Sequence, residues 1–567
     1  MKIEKLEQVM LNFDEPYIDS LLDDLKESLA EWSFGDNKLV TKKNKVEIII
    51  SINGVSLFND EEFRRRFFSS TEDKAFIRKV SSLISYLPNH GCPFDQNEFA
   101  NKAKRIEFGE RDPYTYIVRE YFGLADYQFD RRVDDTSMDI IERSGKEFFE
   151  LYDYQYMIKQ QVINDLSNPD KDLYKILIHM PTGTGKTKTT MHIIAHYINF
   201  VSKGKGCVVW IAHTNELLKQ AYDTFCQVWG HLGLKPIEVY KGWVEFPEEI
   251  KEGILFTSIQ TLQAKMRKPI FSQIGEMASL IIFDEVHKAG APKTKECISL
   301  LTKKDNAYGK KFIGLTATPG RTTDLSREND LFVKEFDHIV GIDVDLINTI
   351  SLSPSEARNY RGSKDPIRFF QENQYLSFID KEILDFHVDE ATKAEIAREL
   401  RNSSETFSSD LVNRIAMNKA RNLKIVERLR SLNEQGTPTI VFACSLAHAK
   451  MLSAFLKLIE IDNSLVYGDM DSYSRAKAID DFKKGRVNII INYEILTTGF
   501  DSTNIRCVFI TRPTKSVILY SQMIGRGLRG PRMGGNPRCT LIDVEENILS
   551  FNENKAFKHF DKYWNKE

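Results

Sequence analysis

The run Met180-Pro-Thr-Gly-Thr-Gly-Lys-Thr187 holds the groups needed to wrap a chain of phosphates. Gly183 and Gly185 let the backbone turn tightly, so that its N–H groups converge on an anion. Thr182 and Thr184 alternate with them in the same loop. Lys186 supplies a point charge for β- and γ-phosphates, and the Thr187 hydroxyl is suited to Mg²⁺. The apolar residues Ile176, Leu177 and Ile178 just upstream predict a buried strand. The segment from Thr187 to Phe200 predicts a helix whose positive end faces the phosphates. Met180 stands where the general phosphate-loop pattern has its first glycine.

Further along, Ile281-Ile-Phe-Asp-Glu-Val-His-Lys288 sets two adjacent carboxylates at the end of an apolar strand, where α/β sheets present functional groups. Asp284 suits a Mg²⁺ ligand, direct or through water. Glu285 suits a base that orients and deprotonates an attacking water. His287 is placed to couple this pair to moving parts.

These groups need a scaffold, and the chain is long enough for roughly three or four domains. Its 42% hydrophobic and 28% charged residues describe an ordinary globular protein. The start, MKIEKLEQVMLNFDEP, is too polar for a signal peptide, and no run approaches a membrane span. Seven cysteines without a C-x-x-C pair argue against a zinc module or disulfide framework, and a cytoplasmic location is expected. The net charge of −3 is unevenly spread. Residues 1–150 hold 22 Lys/Arg against 30 Asp/Glu, while the remainder holds 56 against 51. Phosphate-backbone contact is therefore expected after residue 150, and residues 1–145 are expected to form an acidic α+β accessory domain that docks a protein partner. Within it, a helix is expected at Ile18–Trp32 and a strand at Val46–Ile52. The Arg64-Arg65-Arg66 cluster beside Phe63, Phe67 and Phe68 fits an exposed helix face better than a nucleic-acid contact.

From Ile176 apolar strands alternate with helical stretches: Cys207–Ala212, Ile254–Thr257, Leu280–Asp284 and Phe312–Leu315. The rhythm predicts an α/β fold with a parallel sheet. It lapses over residues 346–410, which read as a helical connector, and returns at Thr439–Ala443, Ser464–Tyr467, Asn488–Asn492 and Arg506–Thr511. Two α/β lobes result, at 146–345 and 411–567.

The order and spacing of these strings resemble a superfamily 2 helicase of the DEVH-box kind, over roughly residues 150–545. The resemblance implies two tandem RecA-like lobes and ATP with Mg²⁺. Ile211-Ala-His-Thr-Asn-Glu-Leu217 and Thr257-Ser-Ile-Gln-Thr-Leu262 are similar to strand-gripping motifs, which implies nucleic-acid contacts from His213, Thr214, Thr257 and Gln260. Thr316 and Thr318 resemble the hydroxyl motif that links hydrolysis to lobe movement. Leu151-Tyr-Asp-Tyr-Gln155 resembles the adenine-recognising segment, with Gln155 on the base edge. Tyr152 replaces an arginine common in relatives and is expected to pack on the adenine.

In the second lobe, Leu496-Thr-Thr-Gly-Phe-Asp501 resembles motif V. It implies strand contacts from Thr497 and Thr498 and nucleotide contacts from Gly499 and Asp501. Gln522-Met-Ile-Gly-Arg-Gly-Leu-Arg529 resembles motif VI, with Gln522 at the nucleotide. Its two arginines are three apart, so on a helix they share one face. Arg529 is expected to be an arginine finger and Arg526 a phosphate sensor. Val441-Phe-Ala-Cys-Ser445 and Tyr467-Gly-Asp-Met-Asp471 are the remaining landmarks. Ser445 is expected near strand phosphates, and Cys444 as packing without a histidine partner.

The phosphate loop, DEVH box and TAT string together resemble the XPB-type and restriction-subunit branch, which implies DNA ahead of RNA. Three readings stay open. One is a DNA helicase or translocase in genome maintenance. Another is the motor of a restriction or antiviral complex with a nuclease docked on residues 1–145. The third is an ATP-driven clamp that senses nucleic acid without unwinding it.

Overall fold

The computed structural model describes residues 3–22, 25, 26, 29, 40–83, 96–104, 137–144, 149–167, 173–303, 310–317, 334–342, 366–384, 389–400, 406–470, 472–497, 500 and 502–544. Eight strands form the first sheet: β1 (Met138–Ile141), β2 (Leu173–His179), β3 (Cys207–Ala212), β4 (Ile237–Lys241), β5 (Gly253–Ser258), β6 (Ala278–Phe283), β7 (Lys310–Thr316) and β8 (His338–Val340). Their order is β1-β4-β5-β3-β6-β7-β2-β8. Only β1 runs antiparallel to its neighbour. Every residue of β3, β5 and β6 is buried, as continuous apolar runs require when helices cover both faces of a sheet. Alternate side chains feed separate cores: Ile176, Ile178, Trp210 and Phe256 face one, and Leu177, Val209, Leu255 and Ile281 the other.

Parallel strands carry their following loops to one edge. There the Met180 N–H donates to the Thr316 carbonyl (3.1 Å), and the Asp284 N–H to the Ile211 carbonyl (2.8 Å). The phosphate loop after β2, the carboxylates after β6 and the end of β7 are thereby brought side by side.

The second sheet is wholly parallel, in the order β11-β12-β10-β13-β14-β9. Its strands are β9 (Phe378–Leu384), β10 (Thr439–Phe442), β11 (Asn463–Val466), β12 (Ile489–Asn492), β13 (Cys507–Ile510) and β14 (Arg538–Val544). All eight strands expected from the alternating rhythm are present in the two sheets.

Three expectations about the boundaries need correction. The segment expected as a helical connector contributes β9 to the second lobe. FIDKEIL reads as polar because it is an edge strand, tied down by Arg428 to Glu382 (2.7 Å) and Arg538 to Asp380 (2.7 Å). The end of the expected accessory domain contributes β1 to the first sheet, where Asp139 meets the buried Lys241 ammonium at 3.0 Å. Finally, Val46–Ile52 is helical, inside a helix at Lys42–Asn53. Its β-branched run imitates a strand because the helix is enclosed on several sides. Thr41 caps it by accepting the Asn44 N–H at 3.2 Å.

Among the described residues the N-terminal region is helical as far as Ala103, not α+β. The helix expected at Ile18 starts at Glu15, and residues 30–39 lie outside the described part, as does the chain beyond Val544. Phe58, Phe63, Phe67, Phe68, Phe76 and Phe99 meet largely edge to face. Their cluster is continuous with second-lobe residues Leu452, Phe455, Ile491 and Phe509. The arginine cluster serves this packing. Arg64 is buried and donates to the carbonyls of Phe58 (2.6 Å), Asn59 (2.9 Å) and Lys104 (2.9 Å). Arg65 and Arg66 pair with Glu62, and Arg66 also with Asp14.

Phe67 is fully buried at the centre of that cluster. Phe67→Ala is expected to cost about 3–5 kcal/mol. Because the core is shared, urea unfolding should show the second lobe losing stability together with the N-terminal helices. An unchanged midpoint would refute the shared core.

Candidate active site at the seam between the lobes

Gly183 and Gly185 take positive φ angles of 87° and 83°. A Cβ on Gly185 would lie 2.4 Å from Gln155 Nε2, so space and backbone both require glycine there. Gly185 opens the helix Lys186–His196, whose free N–H groups face the loop. The loop is braced from below. Tyr154 hydroxyl and Gln155 Nε2 donate to the Thr184 carbonyl at 2.8 and 2.9 Å, and Thr184 Oγ1 donates to Pro181 at 2.7 Å. Gln155 Oε1 accepts the Tyr152 N–H at 3.1 Å. Gln155 is thus a buried strut with both ends of its amide engaged, rather than a side chain presented to a base. Tyr152 packs edge-on against Tyr375, with ring centres 5.0 Å apart, and its hydroxyl donates to the carbonyl of Arg532 in the second lobe. Lys188 lies over the Phe149 and Tyr152 rings at 3.9 and 5.2 Å.

Lys186 folds back onto the Met180 carbonyl at 3.3 Å. Burial lowers its pKa, while Glu285 and then Asp284 oppose that shift. For Asp284, burial followed by the neighbouring Glu285 pushes the carboxyl up to about 7. Burial also pushes Glu285 up, but Lys186, His287, Lys288 and Arg526 outweigh it and hold the carboxyl below its usual range. The environments separate the pair: Glu285 is the ionised member, and Asp284 favours either a proton or a cation in its place. Glu285 also takes a left-handed backbone (φ 53°, ψ 50°), a strained conformation for a non-glycine residue.

His287 bridges outward from this strained turn. Its Nδ1 lies 3.3 Å from Glu285 Oε2 and 3.1 Å from Thr316 Oγ1 at the end of β7. Thr318 lies outside the described residues. Sequence reasoning missed His179, which sits beneath the loop with its ring nitrogen 3.2 Å from the Ala317 carbonyl.

The second lobe closes over the loop. A Cβ on Gly525 would meet the Thr182 side chain at 2.6 Å, and Met533 approaches the Cβ position of Gly185 within 3.5 Å. Arg529 Cγ lies 3.8 Å from the Cβ position of Gly183. Arg526 donates to the Phe500 carbonyl at 2.6 Å, and its charge is felt by both Lys186 and Glu285. The two arginines do not share a helix face as expected. The helix Val517–Ile524 carries Gln522 and ends before them, so Arg526 occupies the following turn and Arg529 bridges to Leu376. Two glycines in Gly-Arg-Gly favour this turn. Gln522 Nε2 is buried without a hydrogen-bond partner among the described residues. Gly499, Asp501 and Thr498 lie outside them. Tyr375, Leu376, Arg532 and Met533 join the seam without any signal in sequence beyond the aromatic run Phe369 to Tyr375.

The residues expected at a strand lie near the C-terminal edges of the sheets. Thr214 and Ser445 cap the helices Asn215–Leu232 and Leu446–Leu458, accepting N–H groups at 3.3 and 3.2 Å. Gln260 is exposed and Thr497 is buried, donating to Glu494 at 3.0 Å. His213 stands beside Phe283, with Nε2 unpartnered among the described residues. Thr257 is fully buried inside β5 and donates to the Ser258 carbonyl at 3.4 Å, so it supports its neighbours instead of reaching a strand itself. His448 does neighbour Cys444, contrary to expectation, but it accepts the backbone N–H at 3.2 Å while the thiol faces the Thr511 carbonyl.

Residues 148–321 match the family model for the type III restriction enzyme res subunit, and residues 421–530 that for the helicase conserved C-terminal domain. The chain belongs to the superfamily 2 helicases, in the ResIII-like branch. The chain is 25% identical over 384 residues to the putative mitochondrial ATP-dependent helicase irc3 of Schizosaccharomyces pombe, covering 67% of the chain and 55% of that protein. It is 25% identical over 396 residues to the putative ATP-dependent helicase IRC3 of Saccharomyces cerevisiae, covering 69% and 51%. It is 23% identical over 422 residues to a type I restriction enzyme EcoAI endonuclease subunit of Escherichia coli, covering 69% and 46%. The chain spans about half the length of these curated relatives. No described helix is long and apolar enough to cross a membrane.

Burial, the largest cause in each case, keeps three first-lobe histidines neutral: His179 is lowered to about 3, and His192 and His213 to about 4. In the unfolded chain they titrate near ~6.5. The native state therefore binds fewer protons between those limits, and their stabilising effect, complete above the unfolded value, is lost as pH falls. The Tm of the first lobe is expected to drop steadily from pH 7 toward pH 4. His192→Gln should flatten that slope, and an identical slope in the variant would refute the assignment.

Proposed function

We propose that the protein is an ATP-driven motor on nucleic acid, acting on DNA in preference to RNA. The observation that carries this reading is the meeting of the two half-sites: Lys186, Asp284 and Glu285 in one lobe lie against Arg526 and Arg529 from the other. In this reading the loop N–H groups and Lys186 hold the β- and γ-phosphates of ATP. Ionised Glu285 orients a water and takes its proton as the oxygen attacks the γ-phosphorus. The bond to the β-phosphate oxygen breaks, and ADP departs. Arg526 and Arg529 neutralise charge spreading over the transferred group, and Gln522 offers its buried N–H donors nearby.

A divalent ion fits the donor set. Asp284 is a buried carboxyl already shifted toward holding a positive species, and Thr187 lies in the first turn of the helix Lys186–His196. No cluster of three metal-ligating side chains occurs among the described residues, which suits Mg²⁺, an ion normally held by one or two carboxylates plus phosphates. When bound, Mg²⁺ supplies charge neutralisation on the phosphate oxygens.

His287 and Thr316 couple the carboxylates to the adjoining strand end, so that hydrolysis loosens the closed seam. Thr214, Gln260 and Ser445 border the path of a strand held chiefly by its phosphates. DNA is favoured by the restriction-enzyme descriptions of the matching family and of the E. coli relative. The same descriptions favour a second reading, in which this chain is the motor of a restriction or defence complex with a partner nuclease. The N-terminal helices, docked on the second lobe, would then receive that partner. No disulfide joins the six described cysteines, which suits a reducing compartment such as the cytoplasm, or the mitochondrion that the S. pombe relative's name indicates.

ATP turnover should rise on adding single-stranded DNA, with duplex DNA and RNA as comparisons. Arg529→Ala should lower stimulated kcat by about 10³-fold or more. Glu285→Gln should do likewise while ATP still binds. Near-normal turnover in either variant would overturn the site. Strand displacement together with triplex displacement indicates a helicase, triplex displacement alone a duplex translocase, and neither a sensing clamp.

A further inference from the structure

One ion pair crosses the lobes away from the nucleotide pocket. Arg475 Nη1 of the second lobe lies 3.1 Å from Glu216 Oε1 of the first. Arg475 is fixed from behind, since its Nη2 donates to the carbonyls of Gly468 (2.7 Å) and Met470 (3.0 Å) in the loop that follows β11. Its Nε is buried without a hydrogen-bond partner among the described residues. The guanidinium is therefore held in a set direction, with one edge turned across the seam. Glu216 is about half exposed and stands in the first turn of the helix Asn215–Leu232, where the helix dipole favours an anion. It lies two residues after Thr214 and three after His213, at the edge of the first sheet that the proposed function gives to the strand.

We propose that Glu216 is a built-in phosphate mimic: it occupies Arg475 when no strand is bound, and a backbone phosphate displaces it. The inference rests on the reading of the protein as a nucleic-acid motor and adds to it a strand-binding residue and its internal competitor. A guanidinium takes carboxylate and phosphate oxygens with the same fork of N–H donors, so the two ligands are interchangeable in geometry. A half-exposed ion pair is weak enough to exchange. Once displaced, Glu216 faces the arriving phosphate with a like charge. Removing the carboxylate thus removes both a competitor and a repulsion. Removing Arg475 removes a phosphate contact. A pair that merely staples the lobes would behave differently, because loss of either partner would weaken the closed state equally.

The experiment measures binding of a fluorescent single-stranded oligo-dT, and separately of oligo-U, to the full chain by anisotropy over a series of salt concentrations. Glu216→Gln is expected to bind about three- to tenfold tighter at low salt. Arg475→Ala should bind more weakly, and the slope of log K against log salt should shrink by about 0.7, the value for one phosphate contact on a single strand. The gain from Glu216→Gln should shrink in the Arg475→Ala background, since the carboxylate then has no arginine to occupy and only its repulsion is removed. Thermal melts establish that each variant is folded. Glu216→Gln binding no tighter than wild type, or Arg475→Ala retaining the full salt slope, overturns the proposal. If wild type binds strands normally but the variants match it, only this inference falls. If wild type binds neither oligonucleotide, the motor reading falls and takes this inference with it.

Discussion

The central constraint is the placing of two cations on opposite sides of one buried seam. Lys186 and Arg526 belong to different lobes, and each disfavours the other's charge across a poorly solvated gap. Glu285 attracts both and is the group that makes their proximity tolerable. In the proposed function such a seam would respond to a triphosphate. Several negative charges delivered between the cations shift the balance toward closure, and their removal shifts it back. The strained turn at Glu285, the raised pKa of Asp284 and the bridge through His287 follow from crowding these charges at the end of one buried strand.

Much of this was legible in the sequence because it rests on local rules. Parallel strands covered on both faces must be apolar throughout, so Cys207–Ala212 and the other central strands announce themselves. The glycines of the phosphate loop are required by their own backbone angles. Edge strands follow a different rule. β9 is half charged because one side meets water, and β1 carries an aspartate that is neutralised only by a lysine about 100 residues later. Neither pattern contains its own explanation. The helix at Lys42–Asn53 shows the opposite failure: five buried aliphatic residues imitate a strand because tertiary packing encloses the helix.

Within the site, sequence spacing identified which residues gather but not how each is used. Gln155 meets the phosphate loop as a strut, and Thr257 supports β5 from inside. The spacing of Arg526 and Arg529 fits a helix face, yet Gly525 and Gly527 end the helix and let the chain drop onto Thr182 and Gly183. A Cβ at Gly527 would meet Cys539 at 2.4 Å, so this turn is also fixed by how tightly it packs on the second sheet. Long-range approach of that kind leaves no periodic signature.

The packing also decides what moves as a unit. The N-terminal helices share a continuous core with the second lobe, whereas β1, later in sequence, is hydrogen-bonded into the first sheet. Lys104 therefore lies on the second-lobe side of the seam, Ser137 on the first-lobe side, and Phe378 on the second-lobe side again. Separating the N-terminal helices from the second lobe would expose fully buried phenylalanines, and opening the seam would part the aromatic contacts of Tyr154 with Phe370 and Tyr375 as well as the close approaches at glycines. The shared core makes the N-terminal helices ride with the second lobe. A protein bound to those helices would feel the movement of Arg526 and Arg529 as a rigid displacement, without touching the nucleotide pocket itself.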